Sequence, residues 1–548
     1  MAPGDTAAWR LPSREQRLSE LGRRAFDLLV IGGGITGAGI ALDLSLRGLA
    51  VLLVERDDWA AGSSSASSRL IHGGLRYLEN FQFRQVRKAC LERALLLRNA
   101  AGLVWPEEFV FPVTRGARVG PLRLRFGLWL YCALAFPRSL GWPRTVSKAR
   151  LAERIPGLGA ASLHSAGSYL DGATDDSRLT LAVVLSAARA GATVLTGMEA
   201  LAIENGSFGI AAELQDRETQ AARTVRCRAA VLAGGAGTDE LLRRTGLSGG
   251  WVAPTRGTHV LVPRDRLPTH GAVIFASELD GRIAFLLPWP RHTVIGTTDV
   301  DADPSMPVRA TRAEVGYLLE SANLLVPSAA LGEPDVVSTY AGLRPLLMDA
   351  ARGPSARSRE ERIERIGSVY AIAGGKLTGY RQMAEELSAR VTRDLGFGVI
   401  GLRSGTRDHR LVYAEVPPAV RPAWSRPGAL GPEELLEAAW RRRYGRAAES
   451  VRARLAEIQD GLSRLDPETC LGEVDWAVEQ EDCRTPFDFL LRRTDAGRNA
   501  LAEVEALAPR VIERLAARLA WSTPRRDQLT AEWQDRLRAL HAWKQDPA

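Results

Sequence analysis

Gly32, Gly34 and Gly37 stand in G-x-G-x-x-G order, a spacing suited to bringing a pyrophosphate against backbone at the start of a helix. The first glycine permits the tight turn, and the second lets the backbone approach the phosphates. The third lets helix and strand pack closely, with the helix N-terminus facing the ligand. Glu55 follows about 20 residues on, where a carboxylate binds a ribose 2′-hydroxyl and repels a 2′-phosphate. The triplet by itself serves FAD and NAD alike. Shortly afterwards comes SSSASSRLIHGGLRYLE (63–79), whose serines and Gly-Gly turn offer backbone donors and small side chains against which a bulky planar cofactor could lie. The five cysteines (Cys90, Cys132, Cys227, Cys470 and Cys483) are scattered and include no CxxC pair. That argues against a disulfide framework and against a zinc site, so no metal is expected. No cysteine or carboxylate pair is spaced for nucleophilic catalysis.

These residues need a βαβ unit to position them, and 26–56 reads as one. FDLLVI is a buried strand, IALDLSLRG has helical spacing, and LAVLLVE is a second strand ending in the acid. Strands apolar on both faces belong to a parallel sheet. The spacing predicts a basic helix over 82–101 and an amphipathic helix over 178–190 that leads through Gly191 to the strand ATVLTG. Further strands are predicted at VRCRAAVLAGGAG (225–237), which contains Gly234, and at VYAIAGG (369–375), which runs into the helix LTGYRQMAEELSARV. Between 252 and 299, THVLVP, GAVIFAS, RIAFLLPW and HTVIGTTD alternate with Pro/Gly turns, the pattern of an antiparallel sheet. Beyond 400 the sequence turns helical and rich in Arg, Glu and Leu, after a Pro-rich linker expected at 416–428.

The 548 residues exceed one ordinary core, so two or three domains are expected. The composition is that of a globular protein, and the first twenty residues lack the apolar run of a signal peptide. Net charge is +8, yet only four of the 72 basic residues are lysine, so arginine clusters carry little weight. No nucleic-acid motif accompanies the charge, and nucleic acid is set aside as a partner. No apolar run is long enough to span a bilayer. FGLWLYCALAF (126–136), preceded by Arg115, Arg118, Arg123 and Arg125, reads either as a core helix or as a segment lying on an anionic membrane surface.

The SSSASSRLIHGGLRYLE segment closely resembles the signature of FAD-dependent glycerol-3-phosphate dehydrogenases. So do YLDGATDDSRL (169–179), RGTHVLVP, LLPW, IGTTD, TYAGLRPL, AGGKLTGYRQMAE and the C-terminal EVDWAVEQEDCRTPFDFLLRRT, in order along the chain. Three positions depart from the family pattern: AGGAGTDELL lacks a Pro-Trp pair, Arg69 stands for a commoner lysine, and Thr36 for an asparagine. The resemblance implies an α/β fold: a Rossmann-type FAD-binding domain (26–112, 166–250 and 339–398), a substrate domain with an antiparallel sheet (113–165 and 251–338) and an all-α C-terminal domain (399–548), after an N-terminal extension (1–25).

It also implies FAD as cofactor and oxidation of sn-glycerol 3-phosphate by hydride transfer. Electrons then pass to a membrane quinone, on a protein held peripherally at the inner face of the cell membrane. An oxidase that releases peroxide is the alternative, and a non-catalytic flavin protein on the membrane surface is the alternative from another class. A homodimer is the candidate assembly. By family position Arg344 and Arg359 would clamp the phosphate, since guanidinium forks suit a dianion. His259 is the leading proton acceptor, and Arg76 and Tyr77 would line the substrate cavity. Lys376, at a strand-to-helix junction, would stabilise negative charge on the reduced flavin. The remaining cofactor contacts are expected from Ser67, Ser68, His72, Gly73, Gly74, Gly234, Gly375, Leu377 and Thr378, with Gly32, Gly34, Gly37 and Glu55. Asp299 is structural or close to substrate.

Overall fold

The computed structural model describes residues 10–79, 81–114, 119–159, 163–206, 209–348, 361–397, 403–415, 422, 430–499 and 501–547. Five parallel strands form the centre of the first sheet, in the order Val369–Gly374, Ala222–Leu232, Phe26–Ile31, Val51–Val54 and Thr193–Leu195. Phe26–Ile31 and Val51–Val54 are buried almost throughout, as expected of strands covered on both faces. Glu361–Ile366 pairs antiparallel with the outer strand. The hairpin Met198–Gly206 and Gly209–Asp216 adds onto the first half of Ala222–Leu232. Helix Ile35–Leu46 packs against helices Asp176–Arg189 and Tyr380–Asp394.

Asp176–Arg189 is buried on every side from Asp176 to Ala187, not amphipathic as its sequence predicts. Its charged residues are neutralised internally: Arg178 forks onto Glu481 through bonds of 2.8 and 2.7 Å. A polar stripe satisfied by a buried partner looks, in sequence, like one facing water.

The second sheet carries the antiparallel strands Thr255–Pro263, Ala272–Ala276, Ile283–Pro288 and His292–Gly296 that the alternation predicts. It also takes in Val104–Thr114, Leu163–Thr174 and Ser338–Arg344. Sheet membership therefore runs across the segment boundaries expected from sequence, because those three strands pair over long sequence distances. Beyond 430 the chain is mostly helical, with one two-stranded ribbon, Arg464–Asp466 with Thr469–Cys470. The expected 416–428 linker lies outside the described residues except for Pro422.

The C-terminal helices are bound to the N-terminal part of the chain through buried ion pairs. Arg17 meets Asp482, Arg69 meets Asp495, Arg178 meets Glu481, and Arg493 meets Asp58. All eight side chains are more than nine-tenths buried. Pairs so buried are costly to break singly, since each break strands an uncompensated charge.

Helix Pro121–Leu134 contains most of the aromatic segment, with one face buried and the other exposed. Leu124, Leu128, Tyr131 and Cys132 are buried. Leu122, Phe126 and Trp129 face outward, 82, 66 and 53% exposed, and Phe136 and Trp142 extend the patch. Trp129 stacks on Trp142 at 5.6 Å. Among the described residues no helix is long and apolar enough to cross a membrane.

Candidate active site

The glycine triplet is built by packing, and each glycine has a different neighbour. Gly32 has φ +115°, and a Cβ there would lie 2.4 Å from the Ala233 carbonyl oxygen. At Gly37 a Cβ would lie 1.9 Å from the Gly32 oxygen. At Gly34 it would meet only Ser64 Oγ, at 3.2 Å, and the backbone there is ordinary extended chain. Gly34 caps the Ile35–Leu46 helix and lines a cavity of about 2740 Å³. Ser64 Oγ accepts from the Ile35 amide at 2.9 Å, holding the serine loop across the helix N-terminus. Glu55 accepts from the Gly33 amide at 2.6 Å and the Asp57 amide at 2.9 Å. Burial pushes its carboxyl above the usual range, against those two amides.

The serine loop is tied to three other elements. Ser67 donates from both amide and hydroxyl to Asp176, at 2.9 and 2.6 Å. Ser63 donates to the Leu343 carbonyl at 2.5 Å. Ser68 Oγ lies 2.9 Å from His259 Nε2. His259 is 2% exposed, stands opposite Tyr340 in the strand pair and stacks on its ring at 4.5 Å and 11°. Burial, then Arg344, Arg69 and Arg498, hold the His259 imidazole well below its usual range, so it is neutral at pH 7.

The Gly-Gly turn meets the Lys376 segment. The His72 amide donates to Thr378 Oγ1 at 3.2 Å. Lys376 Nζ lies 3.9 Å from the centroid of the Tyr77 ring. Gly74 has φ +78°, and Tyr77 fills the space a Cβ would take. The Gly73 amide donates at 2.7 Å to Tyr131 of the aromatic helix, which donates in turn to Asp171 at 2.7 Å. Arg93 closes this buried chain on Asp171 at 2.6 Å. Gly375 has φ +83°, and a Cβ there would overlap Met383. Lys376 precedes a three-residue 3-10 turn, Leu377–Gly379, that leads into the predicted helix.

Arg344 lies at the end of its strand, with its guanidinium over Gly257, where a Cβ would come within 2.3 Å of Nη2. It pairs with Asp299 at 2.9 Å and donates to Thr297 Oγ1 and the Thr298 carbonyl at 3.0 Å each. Asp299 is thus the carboxylate that orients Arg344. Gly32, Gly34, Glu55, Ser67, Ser68, His72, Gly74, Tyr77, Gly234, His259, Arg344, Gly375, Lys376, Leu377 and Thr378 all line the one cavity, while Gly37 and Gly73 stand behind its wall. Arg76 begins a short helix, Arg76–Glu79, with its side chain outside the described atoms, and Arg359 lies outside the described residues.

Three groups around this cavity were not singled out from sequence. Asp176 and Tyr340 lie inside quoted motifs, which was their available signal. Arg498, in the short helix Ala496–Asn499, also lines the cavity and had none. Among the described residues no group of His, Cys, Asp and Glu is arranged to hold a metal.

A family model described as FAD dependent oxidoreductase matches residues 27–383, and one described as the C-terminal domain of alpha-glycerophosphate oxidase matches 376–526. The chain is 31% identical over 546 residues to an aerobic glycerol-3-phosphate dehydrogenase of Staphylococcus haemolyticus, covering 95% of this chain and 96% of that one. Among solved structures, glycerol-3-phosphate dehydrogenase from Bacillus halodurans, complexed with FAD, superposes with TM-score 0.77 at 29% identity. It covers 97% of this chain and 98% of its own. L-alpha-glycerophosphate oxidase of Mycoplasma pneumoniae shares the fold, with TM-score 0.54 at 17% identity over 74% of this chain and 99% of its own.

Proposed function

Because the chain belongs to the family of FAD-dependent aerobic glycerol-3-phosphate dehydrogenases, we propose that it oxidises sn-glycerol 3-phosphate to dihydroxyacetone phosphate and passes the electrons to a membrane quinone. The observation that carries this reading is the convergence, on one cavity, of a dinucleotide cradle with a neutral histidine, a lysine and a carboxylate-oriented arginine.

The chain's own residues fit FAD. The volume of about 2740 Å³ exceeds the roughly 300–1,000 Å³ of an ordinary ligand pocket, leaving room for a dinucleotide and a substrate. Gly34 and the Ile35–Leu46 N-terminus would receive the pyrophosphate, and Glu55 the adenosine ribose. The serine loop, His72–Gly74 and Gly375–Thr378 would hold the flavin end. Bound there, FAD supplies a two-electron acceptor for hydride from substrate C2.

Arg344, oriented by Asp299, binds the substrate phosphate, with Arg359 as its second fork. His259 takes the C2 hydroxyl proton, and its lowered proton affinity keeps it unprotonated and available at neutral pH. Lys376 places positive charge where reduction builds negative charge, backed by the N-terminus of the helical run that begins at Leu377. Tyr77 fixes the lysine by lying under its ammonium. Arg76 is assigned to the substrate end by family position alone.

The quinone and the membrane belong together. The outward stripe of Leu122, Phe126 and Trp129 beside Arg123 and Arg125 suits an anionic leaflet approached from the cytoplasmic side. The inner face of that helix, Leu124 and Leu128, lines the cavity with Phe109 and Phe111. This apolar arm suits a quinone ring entering from the bilayer.

The test is anaerobic. Glycerol 3-phosphate added to the FAD-loaded protein should bleach the flavin, and a soluble quinone should restore it faster than air does. Fast recovery in air with peroxide would mark an oxidase, and no bleaching would refute the reading.

A further inference from the structure

Arg498 is 8% exposed and reaches the cavity from the C-terminal helical part of the chain. Its Nη1 donates to the Ser65 carbonyl at 2.6 Å, and its guanidinium carbon lies 5.1 Å from the centroid of the Tyr340 ring. Tyr340 stacks on His259, its hydroxyl donates to the Ser67 carbonyl at 3.2 Å, and Ser68 meets His259 Nε2. Arg498 therefore touches both supports of the imidazole, the serine loop and the stacked phenol.

Its charge is the unusual part. Arg344 is paired with Asp299, and Arg69 is forked onto Asp495 at 2.8 and 3.0 Å. Arg498 has no carboxylate within ion-pair distance among the described residues. Burial and the neighbouring Arg69 lower its proton affinity, and Asp495 and Asp176 offset that from beyond ion-pair distance.

We propose that Arg498 is a positioning residue of the oxidation site, clamping the serine loop and Tyr340 around His259 and setting a positive charge without a direct carboxylate partner beside the imidazole. The inference rests on His259 as proton acceptor. The charged groups around His259 are Arg344 on the neighbouring strand, Arg69 after the serine loop, and Arg498. Asp299, Asp495, Asp175 and Asp176 are the carboxylates that face those guanidiniums. Tyr340 is uncharged, its hydroxyl pushed up to about 12 by burial. Gly296, opposite His259 on the other side, brings no charge. Arg344, Arg69 and Arg498, in that order, lower the proton affinity of His259, and Arg498 is the one of the three without a direct ion pair among the described residues, so its removal raises that affinity without breaking a salt bridge.

Arg498→Gln retains a donor for the Ser65 carbonyl and removes the charge; Arg498→Lys retains the charge. Both, with His259→Gln and the unaltered protein, are prepared with FAD bound. Two readouts are taken from pH 8 down to the acid limit of the folded protein: the rate of flavin bleaching at saturating glycerol 3-phosphate, and the titration of the His259 ring carbon by NMR, assigned by its loss in His259→Gln. In Arg498→Gln the acid limb of the bleaching rate and the NMR midpoint should both move up, while Arg498→Lys stays near the original. An unmoved NMR midpoint in Arg498→Gln overturns the proposal, and so does an acid limb left in place while His259→Gln abolishes it. An acid limb that survives in His259→Gln instead removes His259 as acceptor, and the NMR midpoint still decides whether Arg498 sets its charge.

Discussion

Substituting Gly34 by alanine separates what the protein needs from what the cofactor needs. At Gly37 a Cβ would lie 1.9 Å from a backbone oxygen, so the helix must retreat by more than 1 Å to approach the roughly 3 Å that real contacts show. Gly37→Ala is therefore a folding defect. At Gly34 the same atom meets only the end of a serine side chain, at 3.2 Å, on a backbone with φ −74° and ψ 176° that any residue adopts. Alanine at this helix cap costs about 1 kcal/mol or less. The Cβ would stand where a pyrophosphate approaches the helix N-terminus. Losing one or two charge-assisted hydrogen bonds there costs about 2–5 kcal/mol, or a factor of about 30 to several thousand in FAD affinity. Thermal unfolding of FAD-free protein and FAD titration by fluorescence quenching measure the two quantities separately. Gly34→Ala should unfold within a degree or two of the unaltered chain yet purify nearly colourless. A yellow Gly34→Ala protein with unchanged affinity would refute the assignment of this turn to the pyrophosphate.

Three further outcomes follow from other parts of the molecule. Phe126→Ser with Trp129→Ser should cut sedimentation with anionic vesicles by tenfold or more and leave flavin content intact; equal sedimentation would remove the stripe as the docking face. Asp58→Ala removes the bidentate partner of the buried Arg493, while Arg492 keeps Asp488, and should cost about 3–5 kcal/mol in stability, read by thermal unfolding; a negligible change would mean water reaches the seam. His292, held at about 4 by burial and then by Arg291, stays neutral in the fold while the unfolded chain takes up a proton below 6.5. Its contribution, about 3 kcal/mol, is present above pH 6.5 and lost as pH falls toward 4, so His292→Gln should flatten the fall in denaturant midpoint over that window.

The fingerprint was legible because all its parts lie within thirty residues and each carries a local signal: strand, turn, helix and acid. His259, Arg344 and Lys376 were legible through the order of family motifs, and their convergence on one cavity fits that reading. Other features depend on partners far away in sequence. The burial of Asp176–Arg189 is settled by Glu481, some three hundred residues on. Val104–Thr114 joins the second sheet beside Ala272–Ala276 and carries Leu163–Thr174 on its other edge, and neither strand announces its neighbour. Arg498 was invisible for a further reason: arginine has displaced lysine almost everywhere in this chain, so one more arginine on a helix means nothing until its surroundings are seen.

The buried ion pairs across the C-terminal seam also set an order of events during synthesis. Asp58 emerges early, and its partner Arg493 lies 435 residues later. At about 5–20 residues per second, some 20 to 90 s pass before the second charge exists. Throughout that interval Asp58, Arg69 and Arg178 lack the partners they hold in the folded chain. Leu491, Arg492, Arg498 and Arg536, among the last residues made, also line the cavity, so its wall is complete only when the C-terminal helices have been synthesised.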